Sequence, residues 1–189
     1  MGSSGAFPQA AYLTANLVTT GEETFPRDLL SSSSAVAPIS QSLRLTYFTA
    51  RKTESTTQVR MYSGGTAAAA TPSLCRIGLW SVAANGDLTL VASTANDTTL
   101  FAGTVTAYTR SWSAPYAKVA GQRYAIGALV VSATTMPTFG GSQVTYSAEG
   151  GSVAPVMGAV INSQADLPSS VAVGSLAASG QRLYAVILP

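Results

Sequence analysis

Apolar and polar residues alternate in short runs along most of this chain, and a Gly, Asn-Gly or Pro signal interrupts them about every 8 to 15 residues. Leu43, Leu45 and Tyr47 alternate with Arg44, Thr46 and Phe48. A period of two puts successive side chains on opposite faces of a strand. Similar runs fall at 58–62, 74–82, 88–91, 98–101, 105–112, 116–119, 123–132, 144–146, 153–161 and 182–188. Turn signals stand at Gly64-Gly65, Asn85-Gly86, Gly121, Gly140-Gly141 and Gly150-Gly151. Long helical periodicity is absent, and so is any repeat of fixed period. The expected fold is therefore all-β, an antiparallel β-sandwich of jelly-roll-like kind. The sharpest local signal is Asn85-Gly86, which predicts a hairpin with a type I′ turn between 74–82 and 88–91. The long run 123–132 is expected at the centre of a sheet.

Residues 1–40 have a different texture. They carry Pro8, Pro26, Pro38 and the run Ser31-Ser32-Ser33-Ser34, with only short apolar pieces. Such a segment cannot bury a core alone. The expected division is an extended N-terminal arm, 1–40, and a sandwich domain, 41–189. The arm is expected to be ordered by contact with another subunit. Residues 1–7 show neither the basic nor the apolar region of a signal peptide. The longest apolar stretch, 124–131, is far short of the roughly 20 residues of a membrane helix. No membrane partner is expected.

The residue types present bound the chemistry. The 189 residues include no histidine and one cysteine, Cys75. Ser-His-Asp and Cys-His catalysis are excluded, as are His-ligated and Cys₄ zinc. Neither nucleotide-binding glycine fingerprint occurs. A carboxylate pair is the enzymatic option left. Glu22, Glu23 and Asp28 fall in the arm, Asp87 sits at the hairpin turn, and Glu54, Asp97, Glu149 and Asp166 read as strand-end or loop residues that cap turns. The expectation is a protein that is not an enzyme and uses no cofactor or metal. Cys75, in an alternating apolar run, reads as a buried small hydrophobe. Net charge is +2 and the ten basic residues are scattered along the chain, which does not predict a nucleic-acid surface. Charged residues are 10% of the chain, against about 25% in an ordinary soluble domain. A surface of small and hydroxyl residues suits an assembly.

The aromatic residues are the candidate ligand or interface groups. Trp80, Tyr108, Trp112 and Tyr116 lie in or beside strands. Two uses compete for them: stacking against sugar rings, and packing in a core or between subunits. Trp112, flanked by Ser111 and Ser113 and followed by Pro115, reads as the exposed one. A carbohydrate-binding adhesin domain, taking a host cell-wall glycan, is the alternative function that this content supports.

Across 43–140 the chain resembles a domain of actinobacteriophage virion proteins, of the minor tail or head-decoration type. The resemblance is carried by Leu43-Arg44-Leu45-Thr46-Tyr47-Phe48-Thr49-Ala50-Arg51-Lys52-Thr53, by Thr71-Pro72-Ser73-Leu74-Cys75-Arg76-Ile77-Gly78-Leu79 and by Ala84-Asn85-Gly86-Asp87-Leu88-Thr89-Leu90-Val91-Ala92-Ser93. Asn96-Asp97-Thr98-Thr99-Leu100-Phe101 and Val119-Ala120-Gly121-Gln122-Arg123-Tyr124-Ala125-Ile126-Gly127 continue it. The resemblance implies a non-enzymatic structural protein of a bacteriophage virion, made in the host cytoplasm, with other capsid or tail proteins as partners. A homo-oligomer is expected on separate grounds. Residues 43–48, 125–131 and 184–188 are apolar on both strand faces, and a subunit interface is one way to cover the second face. That the oligomer is a trimer follows only from analogy with jelly-roll virion proteins.

Overall fold

The computed structural model describes residues 21–67, 72–143 and 157–189. Among these, every strand pair is antiparallel, and the strands form a seven-stranded, a four-stranded and a three-stranded sheet. The fold is the all-β sandwich expected from the alternation.

The large sheet is built on β3 (Leu43–Thr49), β5 (Leu74–Val82), β6 (Leu88–Ser93) and β8 (Arg123–Val131). Strands β10 (Gly158–Ile161), β11 (Ser170–Val171) and β12 (Ala177–Ala178) complete it, in the order β11-β6-β5-β8-β3-β10-β12. The run expected at a sheet centre, β8, holds the middle place. The two outermost strands, β11 and β12, are joined by the short 3-10 turn Val173–Ser175. The sheet therefore curls until its edges are neighbours in sequence, and its concave face encloses a core of its own. That core includes Leu43, Leu45, Trp80, Leu88, Ala125 and Leu129, capped by Leu167 and Val171. Trp80 donates its indole N–H to the Pro168 carbonyl at 3.0 Å.

The opposite face of the curled sheet packs against the smaller sheets. Strands β1 (Glu22–Glu23), β4 (Glu54–Tyr62), β7 (Ala107–Lys118) and β14 (Ala185–Leu188) form one, in the order β1-β14-β4-β7. Strands β2 (Ser31–Val36), β9 (Phe139–Gln143) and β13 (Gln181–Leu183) form the other. Cys75, Ile77, Leu79, Ile126 and Val130 from the curled sheet meet Val59, Met61, Trp112, Phe139, Leu183 and Ile187 in the second core. The two-faced apolar strands are thus covered twice within one chain, so they do not call for a subunit interface.

Other expectations are corrected by long-range contacts. Residues 21–40 are no free arm. Strand β1 pairs with β14, with Glu22 opposite Ile187, and Phe25 and Val36 are buried. Residues 1–20 of the expected arm lie outside the described residues, as do 144–146 and 153–156. The run 98–101 is a turn, not a strand, and Phe101 takes a positive φ of 64° there while its ring is fully buried. Gly140-Gly141 does not turn but lies inside β9. A Cβ on Gly141 would come within 2.1 Å of the Arg182 carbonyl oxygen, so the glycine serves the close approach of β13. The runs 105–112 and 116–119 belong to one strand, β7. Pro115 is tolerated because β7 is the sheet edge and its register against β4 slips between Ser111 and Tyr116. The run 182–188 changes sheets at Tyr184, and Thr24 holds that corner. Its hydroxyl donates to the Leu183 carbonyl at 3.2 Å and accepts from the Ala185 amide at 3.1 Å. The Asn85-Gly86 hairpin is present with a different turn. The Gly86 amide donates to the Ala83 carbonyl at 2.9 Å and only Gly86 has positive φ, 91°, which gives a type I turn ending in a left-handed glycine.

Gly78 and Gly127 face each other across β5 and β8. A Cβ on Gly78 would lie 2.4 Å from the Trp80 ring, so the bare backbone is the surface on which the indole rests. Gly78→Ala is expected to lower stability by about 1–3 kcal/mol through overpacking, read as a shifted urea midpoint with an unchanged slope.

Candidate functional site

The four aromatic candidates do not share a surface. In β7, Ser111 and Ser113 are exposed and Trp112 between them is buried. The flanking serines mark the other face of the strand, so the exposure expected for Trp112 is not found. Its indole N–H donates to the Thr56 hydroxyl at 3.1 Å. Trp80 is fully buried on the far side of the curled sheet. Tyr108 is half-buried, its ring against Phe101 and its hydroxyl accepting from the Gly103 amide at 2.6 Å. The Tyr116 hydroxyl sits 3.5 Å from that of Tyr124. Burial, then the bond with Tyr124, pushes the Tyr116 phenol up to about 12.

Glu149 lies outside the described residues; the described loop acids, Asp97 and Asp166, are spent on local structure. Asp97 accepts from the Thr99 amide at 2.8 Å and from its hydroxyl at 2.6 Å, and it pairs with Arg110. Partial burial pushes this carboxyl up, but the bonds from Thr99 and Arg110 outweigh it and hold the group below its ordinary value. Asn96 accepts from the Cys75 amide at 2.8 Å. The Cys75 thiol is fully buried, and desolvation pushes it up to about 12.

Two acids expected to be separate, in the arm and at a strand end, meet at Lys118. Its ammonium is fully buried, 2.5 Å from Glu22 Oε2 and 2.8 Å from Glu54 Oε1, and it donates to the Lys52 carbonyl at 3.0 Å. Glu22 Oε1 also accepts the Arg51 amide at 2.5 Å. Both carboxylates are held by a cation in the interior. They form a structural clasp between β1, β4 and β7 rather than an acid–base pair facing a cleft.

Beside this clasp opens a cleft of about 390 Å³. Its walls are the chain at 23–26, the end of β3 at 47–49, and Arg51, Arg123 and Arg182. The β3–β8 register sets Thr49 opposite Arg123, which brings Arg123 near Arg51, and β13 supplies Arg182. The Arg123 guanidinium lies 4.5 Å from the centre of the Tyr47 ring, and that of Arg182 lies 4.6 Å from the centre of Phe25. Nε of Arg182 is buried without a hydrogen-bond partner among the described residues. Burial lowers the Arg182 pKa from its ordinary value. The lining carboxylate, Glu23, is already bonded to Arg27 at 2.8 Å. No local sequence signal marks this site, because its arginines come from positions 51, 123 and 182 and converge only through strand pairing.

Compared with known proteins, the chain matches no family model and no curated protein.

Two outcomes test the structural roles assigned here. Trp112→Ala is expected to cost about 3–5 kcal/mol of stability, as for a core aromatic, whereas an exposed stacking residue would cost little. Glu22→Gln is expected to cost about 3 kcal/mol by leaving the buried ammonium under-compensated. Glu54→Gln is expected to cost less, because the Glu54 side chain is 23% exposed and that of Glu22 only 3%. Urea unfolding of the three variants gives both answers.

Proposed function

We propose that this chain is a non-enzymatic structural protein of a bacteriophage virion, a minor tail protein or a capsid-surface decoration protein. The observation that carries the reading is where the chain has placed its chemistry-bearing groups. Both tryptophans, the cysteine, Lys118 and the two carboxylates that meet it are built into cores or into the clasp. A chain arranged in this way invests its polar chemistry in a rigid scaffold. The resemblance across 43–140 supplies the virion context, with capsid or tail proteins as partners, assembly in the host cytoplasm, and a trimer as the oligomer that the analogy favours. Immunogold labelling of purified phage particles with an antibody to this chain is expected to decorate the capsid surface or the tail. Unlabelled virions would overturn the reading.

The arginine-lined cleft favours a second reading, an adhesin domain contacting the host envelope. Burial of Trp80 and Trp112 removes ring stacking at those residues from that reading. The recognition would have to come from the cleft instead.

A further inference from the structure

We propose that the cleft bounded by Phe25, Tyr47, Arg51, Arg123 and Arg182 is an oxyanion-binding site, taking a phosphate or carboxylate group carried on a small polar body such as a sugar or polyol. The site would belong to this chain whether or not the chain is a virion component.

Charge gives the first argument. Among the described residues, three guanidiniums line the cleft against one carboxylate, Glu23, and that carboxylate is bonded to Arg27. In a chain of net charge +2 with few charged residues, this is a concentrated local excess. Arg51 is partly engaged: its Nη2 donates to the Glu23 carbonyl at 3.2 Å and its Nε is 3.5 Å from Glu22. Glu22 is in turn committed to Lys118. The Arg51 side chain is still 53% exposed, which leaves donors facing solvent.

Arg182 gives the second argument, which is independent of the count. Its Nε is shut away from water and has no hydrogen-bond partner among the described residues. A half-buried guanidinium with one N–H donor unmet carries a desolvation cost that a nearby anion offsets. Its lowered pKa records the same desolvation.

The placement of the rings then selects the ligand class. Arg182 lies over Phe25 and Arg123 lies over Tyr47, so these ring faces are covered by cations and are not platforms for a sugar. What a guanidinium stacked on a ring offers is its in-plane fork of N–H donors, which matches the oxygens of a carboxylate or phosphate. The volume of about 390 Å³ lies within the range of small-ligand sites.

Arginine side-chain Nε–H resonances of the full chain, followed by NMR, test this directly. The probes are sodium phosphate, glycerol phosphate and sodium glucuronate, each against sodium chloride at equal ionic strength. Saturable shifts at Arg182 and Arg51 are expected with the phosphate probes, with glucuronate, or with both, and the responding probe identifies the source of the oxyanion. Arg182→Gln is expected to weaken binding by roughly tenfold or more, and Arg182→Lys, which keeps the charge but loses the fork, by less. Thermal unfolding of each variant checks that it folds, and Arg51→Gln takes the place of Arg182→Gln if that variant does not. The proposal is overturned if no probe shifts these resonances beyond the chloride control, or if a folded Arg182→Gln binds as tightly as the original chain.

Discussion

A strand that is apolar on both faces has to be covered twice, and β8 sets that demand at the centre of this molecule. Tyr124, Ile126, Ala128 and Val130 point into the core shared with the smaller sheets, while Ala125 and Leu129 point into the hollow of the curled sheet. The curl answers the second demand. An open sheet would leave Leu43, Leu45, Trp80 and Leu129 in water, whereas a sheet curled so that the short link 172–176 joins its two edge strands supplies the cover from its own chain. The bare backbone at Gly78 makes room for Trp80, the largest side chain in that hollow, and the bare backbone at Gly127 makes room for Leu45 and Leu43.

The sequence makes local pairings legible and leaves remote ones hidden. Strand β5 is found at the bounds its alternation predicts, β8 ends one residue short of them, and the hairpin that follows β5 is present, because neighbouring runs and a turn residue suffice to define them. Where residues far apart in sequence decide the outcome, local pattern misleads. Gly140-Gly141 reads as a turn until Arg182 is seen against it. Trp112 reads as exposed because its serine neighbours are polar, yet in a strand the neighbours report on the opposite face. The apolar stretch near the C-terminal end reads as one strand, although Thr24, some 160 residues earlier in the chain, binds both sides of the bend.

Charge shows the same contrast. The basic residues look dispersed along the sequence, and their spacing gives no hint of a patch. Strand pairing gathers Arg51, Arg123 and Arg182 at one cleft, and it sinks Lys118, on one edge of the four-stranded sheet, between Glu54 on the neighbouring β4 and Glu22 on the opposite edge. With so few charges available, each one placed inside the fold acts on several strands at once. The clasp at Lys118 joins the first strand of that sheet to its far edge, so the region 21–25 is held by electrostatics as well as by backbone pairing.

The pairing of β1 with β14 has a consequence for the life of the chain before it is folded. Glu22 lies opposite Ile187, and β14 is an inner strand of its sheet, between β1 and β4. Neither the complete four-stranded sheet nor the Thr24 corner can form until residues 183–188 have been made, long after β1 and β4. The hairpin of β5 and β6 can assemble as soon as its own residues are made, but closure of the sandwich waits for the remote β14 and carries a large loop-closure cost. Until then β4 shows one unpaired edge, the feature most open to mispairing with another nascent chain.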